Sequence, residues 1–243
     1  MKMLTNKHYI YQSPGMGLGN FIQMTYSIVS LSIKFQKRIP VYFSKDFVGN
    51  CFKDCDFIER LHRKPNYIPM NDPNWSYEDK GVPEWMNIFN HFNEKYGLED
   101  IHQSTYIDNP PCPEGLEGKI VIMNGSGNYD REYLDKKLAD LKAFKYALKD
   151  RKMSRKKLLF IGSKEDKEIN QDLIKALKCE TVDLNMRQSL AVVLNAKHVI
   201  TNDTGLAHAA GSWGVSMDVL WKNTPFVKNT NPGENTRYIF TGN

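Results

Sequence analysis

The sharpest structural signal in this chain is HVITNDTGLAHAAGSWG at residues 198–214. Its apolar beginning predicts a strand that ends at Thr201, and the residues that follow predict a helix starting near Thr204 and Gly205. A helix that begins just beyond a strand directs free backbone N–H groups and the positive end of its dipole toward a ligand above that strand. The stretch therefore predicts a binding site for an anion the size of a diphosphate.

Three side chains of this stretch add to the predicted site. Thr204 either caps the helix or donates its hydroxyl to a phosphate oxygen. Asp203 stands at the mouth of the turn, where a carboxylate accepts hydrogen bonds from sugar hydroxyls, and His208 follows one helical turn later on the same face. The same pattern fits an ordinary capped helix in which Asp203 only forms the turn.

Two further stretches repeat the order of strand, glycine-bearing turn and amphipathic helix. The first turn is SPGMGLGN, residues 13–20, followed by a helix at 21–35, and the second is NGSGN, residues 124–128, followed by a helix at 131–148. Strands and helices then alternate to a last predicted strand at 216–221. This alternation predicts an α/β fold with parallel sheets.

The segment between the two halves differs in composition. Residues 63–113 are rich in Pro, Asn, Trp and Tyr, and they predict irregular loops around one helix at 84–96. The cluster NPPCP, residues 109–113, predicts a linker, so we expect an N-terminal αβα domain at 1–115 and a C-terminal one at 116–243. The aromatic residues of the segment line an acceptor groove, stack on unpaired nucleotide bases or form local core: Tyr67, Trp75, Tyr77, Trp85, Phe89, Phe92 and Tyr96.

Composition narrows the class of protein. Among 243 residues, 33 Lys and Arg against 28 Asp and Glu give a net charge of +5, which suits an anionic partner such as a nucleotide or nucleic acid and equally a solvated basic surface. No apolar run reaches the roughly 18 residues of a membrane span, and the N-terminus lacks the apolar core of a secretory signal. The four scattered cysteines predict reduced thiols in a cytoplasm, that of the host if a phage encodes the chain.

The wider stretch from residue 181 to 214, with the LWKNTP of residues 220–225, resembles the nucleotide-sugar site of glycosyltransferase family 9, the heptosyltransferase-like enzymes. LLFIGSKEDK, residues 158–167, is similar to the family's strand-Gly-x-x-x-Asp element. The resemblance implies the GT-B fold, in which two Rossmann-like domains with parallel sheets face a cleft. It also implies a nucleotide diphosphate sugar as substrate, no further cofactor, and metal-independent, inverting transfer.

The resemblance assigns roles within the C-terminal half. Thr204, Gly205, Leu206 and His208 would hold the donor diphosphate, and Asp203 would contact the transferred sugar. Further donor contacts are implied for residues of neighbouring loops: Asn124, Gly125, Ser126, Ser163, Lys164 and Lys222.

The N-terminal turn carries Gly15, Gly17 and Gly19 and ends at Asn20. It fits a dinucleotide fingerprint only weakly, since Asp46 is the nearest acidic residue in the place of the usual partner. In the resembled family an Asp stands at the position of Asn20 and deprotonates the acceptor. An amide cannot act as a general base, so Asn20 would orient the acceptor together with Gly17 and Gly19. The turn is also similar to the N-terminal loop of some fucosyltransferase-type GT-B enzymes.

The residue that takes the proton then stays open among Asp46, Asp130 and His208. The predicted function is sugar transfer from a nucleotide diphosphate sugar to an acceptor hydroxyl. Charge and small size suggest a hydroxymethylated base of phage-type DNA as acceptor, whereas the resemblance suggests a lipopolysaccharide-type glycan. A non-catalytic nucleotide-binding module and an NAD(P)-dependent oxidoreductase are the alternatives, and no stable membrane insertion is expected.

Overall fold

A computed structural model describes residues 8–14, 16–67, 69–71, 84–98, 107–126, 129–153, 158–222 and 235–241. The chain divides into two compact units, and the first gives way to the second between Asp108 and Asn109. The predicted boundary, between residues 115 and 116, lies shortly after this point. Within the described residues, no helix has the length and apolar character needed to cross a membrane.

The first unit contains a parallel three-stranded sheet with the spatial order β1-β2-β3. Its strands are β1 (Ile10–Gln12), β2 (Ile39–Phe43) and β3 (Ile58–Leu61). Its helical elements are α1 (Leu18–Phe35), α2 (Asp46–Gly49), a 3-10 turn (Asn50–Phe52) and α3 (Glu84–Tyr96). The predicted helix at 84–96 is confirmed. Helix α3 packs against α1, and Phe92 and Tyr96 belong to this core, with Tyr96 edge-on to Phe35.

Helix α1 begins earlier than the apolar periodicity predicts. Gly17 is its N-cap in an extended conformation, and the N–H of Phe21 donates to the Gly17 carbonyl at 3.1 Å. Leu18 is buried, so its side chain joins the core ahead of the periodic pattern that starts at Phe21. Gly19 and Asn20 therefore lie in the first helical turn and not in the preceding loop, which corrects the predicted start.

The second unit is a doubly wound parallel sheet. Its strands are β4 (Ile120–Met123), β5 (Leu158–Phe160), β6 (Glu180–Thr181), β7 (His198–Thr201), β8 (Met217–Trp221) and β9 (Thr236–Phe240). All neighbours are parallel, in the order β6-β5-β4-β7-β8-β9, which is the strand order of a Rossmann fold. Strand β9 was not predicted, because the predicted sheet ended at residue 221.

Helices cover both faces of this sheet. They are α4 (Arg131–Lys137), α5 (Leu141–Asp150), α6 (Lys164–Ile169), α7 (Gln171–Leu177), α8 (Met186–Leu194) and α9 (Gly205–Ser212). Alternate residues of β4 point to opposite faces. Ile120 and Ile122 pack with apolar residues of α5 and α7, whereas Val121 and Met123 pack with those of α8 and α9.

The predicted single helix at 131–148 is wrong, because the chain breaks it between α4 and α5. Leu138 leaves the helical conformation, and the Asp140 side chain accepts a hydrogen bond from the Ala143 N–H and caps α5. The sequence pattern after the turn at residues 162–163 also predicts one helix through residue 177, and that helix is divided at Asn170 into α6 and α7. Both breaks release backbone or side-chain groups that bind the loop after β4, as described below.

Candidate functional site at the carboxyl edge of the second sheet

The strand order places a switch point between β4 and β7. These strands are neighbours, but α5 covers one face of the sheet and α9 the other. The chain segments that leave their carboxyl ends therefore diverge, and such a point is where open α/β sheets bind ligands. The residues that the sequence assigned to a donor site follow these two strands: Asn124, Gly125 and Ser126 after β4, and Asp203 and Thr204 after β7.

A buried amide joins the two segments. Asn202 is fully buried, and its Oδ1 accepts from the Gly125 N–H at 3.1 Å while its Nδ2 donates to the Gly125 carbonyl at 2.9 Å. Its Nδ2 also donates to the carbonyl of Lys137 at 3.2 Å. A buried polar side chain with its hydrogen bonds satisfied fixes its neighbours in one arrangement. Asn202 thus sets the spacing of the segments that follow β4 and β7.

The Asn124 side chain holds the loop after β4 in place. It exchanges hydrogen bonds with both the N–H and the carbonyl of Ala139, each at 3.0 Å, and its Nδ2 donates to Asn170 at 2.8 Å. The Asn170 amide in turn donates to the Asn124 carbonyl at 2.7 Å. These bonds use the breaks between α4 and α5 and between α6 and α7. Asn124 therefore positions the loop rather than extending its amide toward a ligand.

A carboxylate ties the segments after β4 and β5 together. Asp166 accepts from the Ser126 N–H at 3.2 Å, from the Ser163 N–H at 2.9 Å and from the Tyr129 hydroxyl at 3.2 Å. A methyl group on Gly162 would lie 2.7 Å from the Asp166 Cβ, and one on Gly125 would lie 2.9 Å from its carboxylate. Both positions require glycine so that the two segments can meet on Asp166.

The other predicted donor residues differ from one another in burial and in hydrogen bonding. Ser163 caps α6, and its hydroxyl also bonds that of Tyr129 at 2.9 Å. Lys164 extends into solvent, where its ammonium lies 3.9 Å from Glu168. Lys222 follows the carboxyl end of β8 and is partly buried. The rest of its predicted loop, residues 223–225, lies outside the described residues, as do Gly127 and Asn128.

The start of α9 has the predicted geometry. Thr204 is its N-cap and accepts from the Ala207 N–H at 3.3 Å, so the hydroxyl is engaged in capping. The first N–H groups of a helix have no carbonyl of their own helix to bind. Those of Gly205 and Leu206 belong to this set, and both residues are partly exposed at the carboxyl edge of the sheet. The helix start therefore lies where the sequence predicts an anion site.

Asp203 is more enclosed than its predicted place at the mouth of the turn. Its side chain is 10% exposed, His208 Nε2 lies 3.2 Å from Oδ1, and Lys137 Nζ lies 3.6 Å from Oδ2. Burial favours the neutral carboxyl, but the hydrogen bond from His208 and the charge of Lys137 outweigh it and hold the pKa of Asp203 below its ordinary value. Asp203 is therefore a fixed carboxylate with a lysine counter-ion.

The predicted catalytic and acceptor residues fall in both units. Asn20 lies in the first turn of α1 beside Gly19, and a methyl group on the cap residue Gly17 would meet no atom of the described residues within 4 Å. Asp46, in α2, binds the Arg60 guanidinium at 2.9 Å and is 90% exposed. Asp130 caps α4 in the second unit by accepting from two backbone N–H groups. Gly15 lies outside the described residues.

Sequence reasoning missed four residues that build these edges. Asn202, Asp166 and Lys137 organise the second unit, and Gln12 does so in the first. The Gln12 side chain is buried, donates to the carbonyls of Ser13 and Met16, and accepts from the Lys45 N–H at 3.1 Å. The Gly-x-x-x-Asp spacing of 162–166 was a usable signal for Asp166; the other three have no spacing signal. The described residues hold no group of three His, Cys, Asp or Glu suited to a metal ion.

The chain matches known proteins by structure but not by sequence. No protein-family model matches the chain, and no curated protein matches it significantly by sequence. A family 9 glycosyltransferase of Veillonella parvula is 14% identical with a TM-score of 0.74, over 98% of this chain and 87% of that one. ADP-heptose lipopolysaccharide heptosyltransferase II of E. coli is 13% identical with a TM-score of 0.68, over 96% and 90%.

A third match is TibC, an iron-containing dodecameric glycosyltransferase of enterotoxigenic E. coli. It is 12% identical with a TM-score of 0.65, over 99% of this chain and 63% of that one. At these identities the likeness is one of fold. The chain has the GT-B-like α/β fold of these glycosyltransferases, which confirms the predicted fold class and, at the level of fold, the resemblance to family 9.

Proposed function

We propose that this chain transfers a sugar from a nucleotide diphosphate sugar to an acceptor hydroxyl. The observation that carries the proposal is the start of α9 with its first backbone N–H groups, which lies beside the charged Asp203 at the switch point of a doubly wound sheet. The fold shared with heptosyltransferases supports the same reaction class. Neither feature depends on the N-terminal glycine turn that suggested an oxidoreductase.

The donor half of the reaction follows from the second unit. When the bond between the sugar and the diphosphate breaks, negative charge grows on the diphosphate oxygens. The N–H groups of Gly205 and Leu206 and the α9 dipole would stabilise that charge without rearranging, since Asn202 and the Thr204 cap already fix them. Asp203 would accept a hydrogen bond from a hydroxyl of the transferred sugar.

The acceptor half is proposed for the first unit. The acceptor oxygen would attack the sugar carbon as the diphosphate leaves, and its proton would pass to a base. Asn20 would orient the acceptor hydroxyl, with Gly17 leaving its backbone open to approach. Of the candidate bases, Asp130 caps α4, His208 binds Asp203 and Asp46 binds Arg60. We favour Asp46, because its side chain is 90% exposed in spite of that ion pair and because it lies in the same unit as Asn20. Metal-independent, inverting transfer without further cofactor remains a prediction from the resemblance.

Nucleotide binding tests the donor site. We expect ADP, UDP or GDP at about 100 times its Kd to raise the Tm of the parent by roughly 5 to 10 °C. The Thr204→Ala variant, which loses the cap of α9, should bind that nucleotide about tenfold more weakly, because the N–H groups at the helix start are no longer fixed. Thermal shift with isothermal titration measures both effects.

A second helix cap provides the matched control. Asp140→Ala removes the cap of α5 in the same unit. It should lower the free energy of unfolding by a similar amount, about 1 kcal/mol, without lowering the affinity for the nucleotide. Equal loss of affinity in both variants would mean that the α9 start is not the binding site. A Tm shift with NADH and with none of the diphosphates would contradict the proposed function and favour the oxidoreductase alternative.

The acceptor is tested by mass spectrometry. We expect a lipopolysaccharide core glycan to gain one sugar when it is incubated with the protein and the sugar nucleotide, since the named structural matches include heptosyltransferases. Charge and size suggested DNA with hydroxymethylated bases as the acceptor, and the comparisons do not support that choice. Such DNA is the second acceptor in the assay. Sugar gained only by DNA would reverse the choice of acceptor. Nucleotide binding with no transfer to either would favour the non-catalytic module that Asn20 suggests.

A further inference from the structure

Lys137, the last residue of α4, reaches the predicted donor site although no motif pointed to it. Its side chain is 13% exposed, its ammonium lies 3.6 Å from Asp203 Oδ2, and it lies 5.4 Å from the centre of the Tyr133 ring. The neighbouring Lys136 instead extends outward to Glu132. An ammonium is buried to this extent only when a counter-charge compensates for its lost hydration.

The backbone around Lys137 is fixed from both sides. The Asn202 amide donates to the Lys137 carbonyl at 3.2 Å, and the Asn124 side chain holds both backbone groups of Ala139. The segment 137–139 is thus bound to the loops after β4 and after β7. The buried amides of Asn202 and Asn124, which fix the loops at the switch point, therefore also position Lys137 next to Asp203.

The charges explain what this placement does. Among the described residues, the titratable groups facing Asp203 are Lys137 from α4 and His208 from α9, and those facing Lys137 are Asp203 and Tyr133. A buried carboxylate beside the start of α9 would repel an arriving diphosphate, because Coulomb interactions are strong where water is excluded. The ammonium of Lys137 cancels that charge while keeping the carboxylate in place.

We propose that Lys137 is a positioning residue of the donor site, which holds Asp203 as a fixed carboxylate and neutralises it so that the diphosphate can bind at the start of α9. The proposal rests on the proposed function. It predicts that removing the lysine charge weakens diphosphate binding through Asp203 and not through a lost contact with the phosphates.

The test is a double-mutant cycle with the diphosphate among ADP, UDP and GDP that the parent binds most tightly. Lys137→Met should weaken binding about tenfold to a hundredfold at pH 7.5, and Lys137→Arg should restore it to within about threefold. Asp203→Asn placed in the Lys137→Met background should recover most of the lost affinity, since the repelling charge is gone. Lys136→Met is the matched control and should bind like the parent.

A pH series separates this role from a purely structural one. Loss of the Lys137 charge makes the pKa of Asp203 higher in the variant than in the parent. Lowering the pH should therefore neutralise the carboxylate in the variant first and restore its diphosphate affinity relative to the parent at the same pH. A loss of affinity that is the same at every pH and that Asp203→Asn does not recover would overturn the proposal. Unchanged affinity in Lys137→Met would do the same, whereas a parent that binds none of the three diphosphates would overturn the proposed function itself.

Discussion

Replacing Asp218 with asparagine is expected to lower the free energy of unfolding by about 3 to 5 kcal/mol. Asp218 is fully buried in β8. Its carboxylate accepts from Arg151 at 2.8 Å and from Arg237 at 2.8 and 2.9 Å, and His198 Nε2 lies 3.2 Å away. Asparagine is neutral and also brings a donor, so it would leave both guanidinium groups without their buried counter-charge.

The effect should depend on pH in a defined direction. Burial raises the pKa of Asp218, but the hydrogen bonds from His198, Arg151 and Arg237 outweigh it and hold the pKa far below its ordinary value. A carboxyl whose pKa is lower in the folded protein than in the unfolded chain stabilises the fold above the unfolded pKa, about 3.9. That stability is lost as the pH falls toward the folded pKa, so the parent and the variant should converge in acid below about pH 4.

Guanidinium denaturation followed by circular dichroism measures the difference at each pH. Asp150→Asn is the matched control, because Asp150 also binds Arg237 but lies at the surface with 40% of its side chain exposed. Exposed pairs contribute about 1 kcal/mol or less, so this variant should stay close to the parent. A small loss for Asp218→Asn, or a loss that persists unchanged in acid, would mean that the buried carboxylate does not join β8 to β9 and α5.

Asp218 also illustrates why the sequence predicted only part of the second sheet. Strands β4, β5, β7 and β8 are rich in apolar residues and buried along their whole length, which is typical of parallel strands covered on both faces, and their positions were predicted. Strand β9 carries Arg237 and is only partly buried, so it lacks that pattern. Its place in the sheet depends on pairing with β8 and on the Arg237–Asp218 contact, which join residues distant in sequence.

The candidate site, like the second sheet, was predicted from the sequence only in part. The start of α9 follows from local rules, since a small capping residue and a glycine after a strand predict a helix N-terminus. The surroundings of Asp203 do not follow from local rules, because Lys137 lies 66 positions earlier in the sequence and only the fold brings it near. Helix breaks were missed for a related reason. Asn170 and Ala139 interrupt helical patterns to bind Asn124, and periodicity alone does not register such long-range hydrogen bonds.

Each unit also uses a buried amide that sequence patterns do not mark to join two backbone segments. Gln12, the last residue of β1, joins the loop that leads to α1 with the segment after β2. Asn202, the first residue after β7, joins its own segment with the one after β4. Both amides offer a donor and an acceptor in one side chain, so each can bind two backbone segments at once. The loops on which the proposed chemistry depends are thereby held in place by residues with no proposed contact to a substrate.

Replacing Asp203 with asparagine is expected to separate sugar recognition from nucleotide binding. If Asp203 accepts a hydrogen bond from the transferred sugar, the loss of its charge should remove about 2 kcal/mol of transition-state stabilisation, or about a thirtyfold loss in kcat/KM for the sugar nucleotide. The free nucleoside diphosphate should bind as well as to the parent or more tightly, because a negative charge beside the start of α9 has been removed.

Titration of the sugar nucleotide and of the matching nucleoside diphosphate with the same protein makes the distinction without any acceptor. The parent should prefer the sugar nucleotide, and Asp203→Asn should lose that preference while keeping the diphosphate. Asp183→Asn, which alters an exposed carboxylate paired with Lys167 in the same unit, should keep both affinities. If Asp203→Asn instead bound both ligands more weakly by the same factor, the carboxylate would support only the local structure. Loss of a contact with the transferred sugar cannot weaken the binding of a nucleoside diphosphate that lacks this sugar.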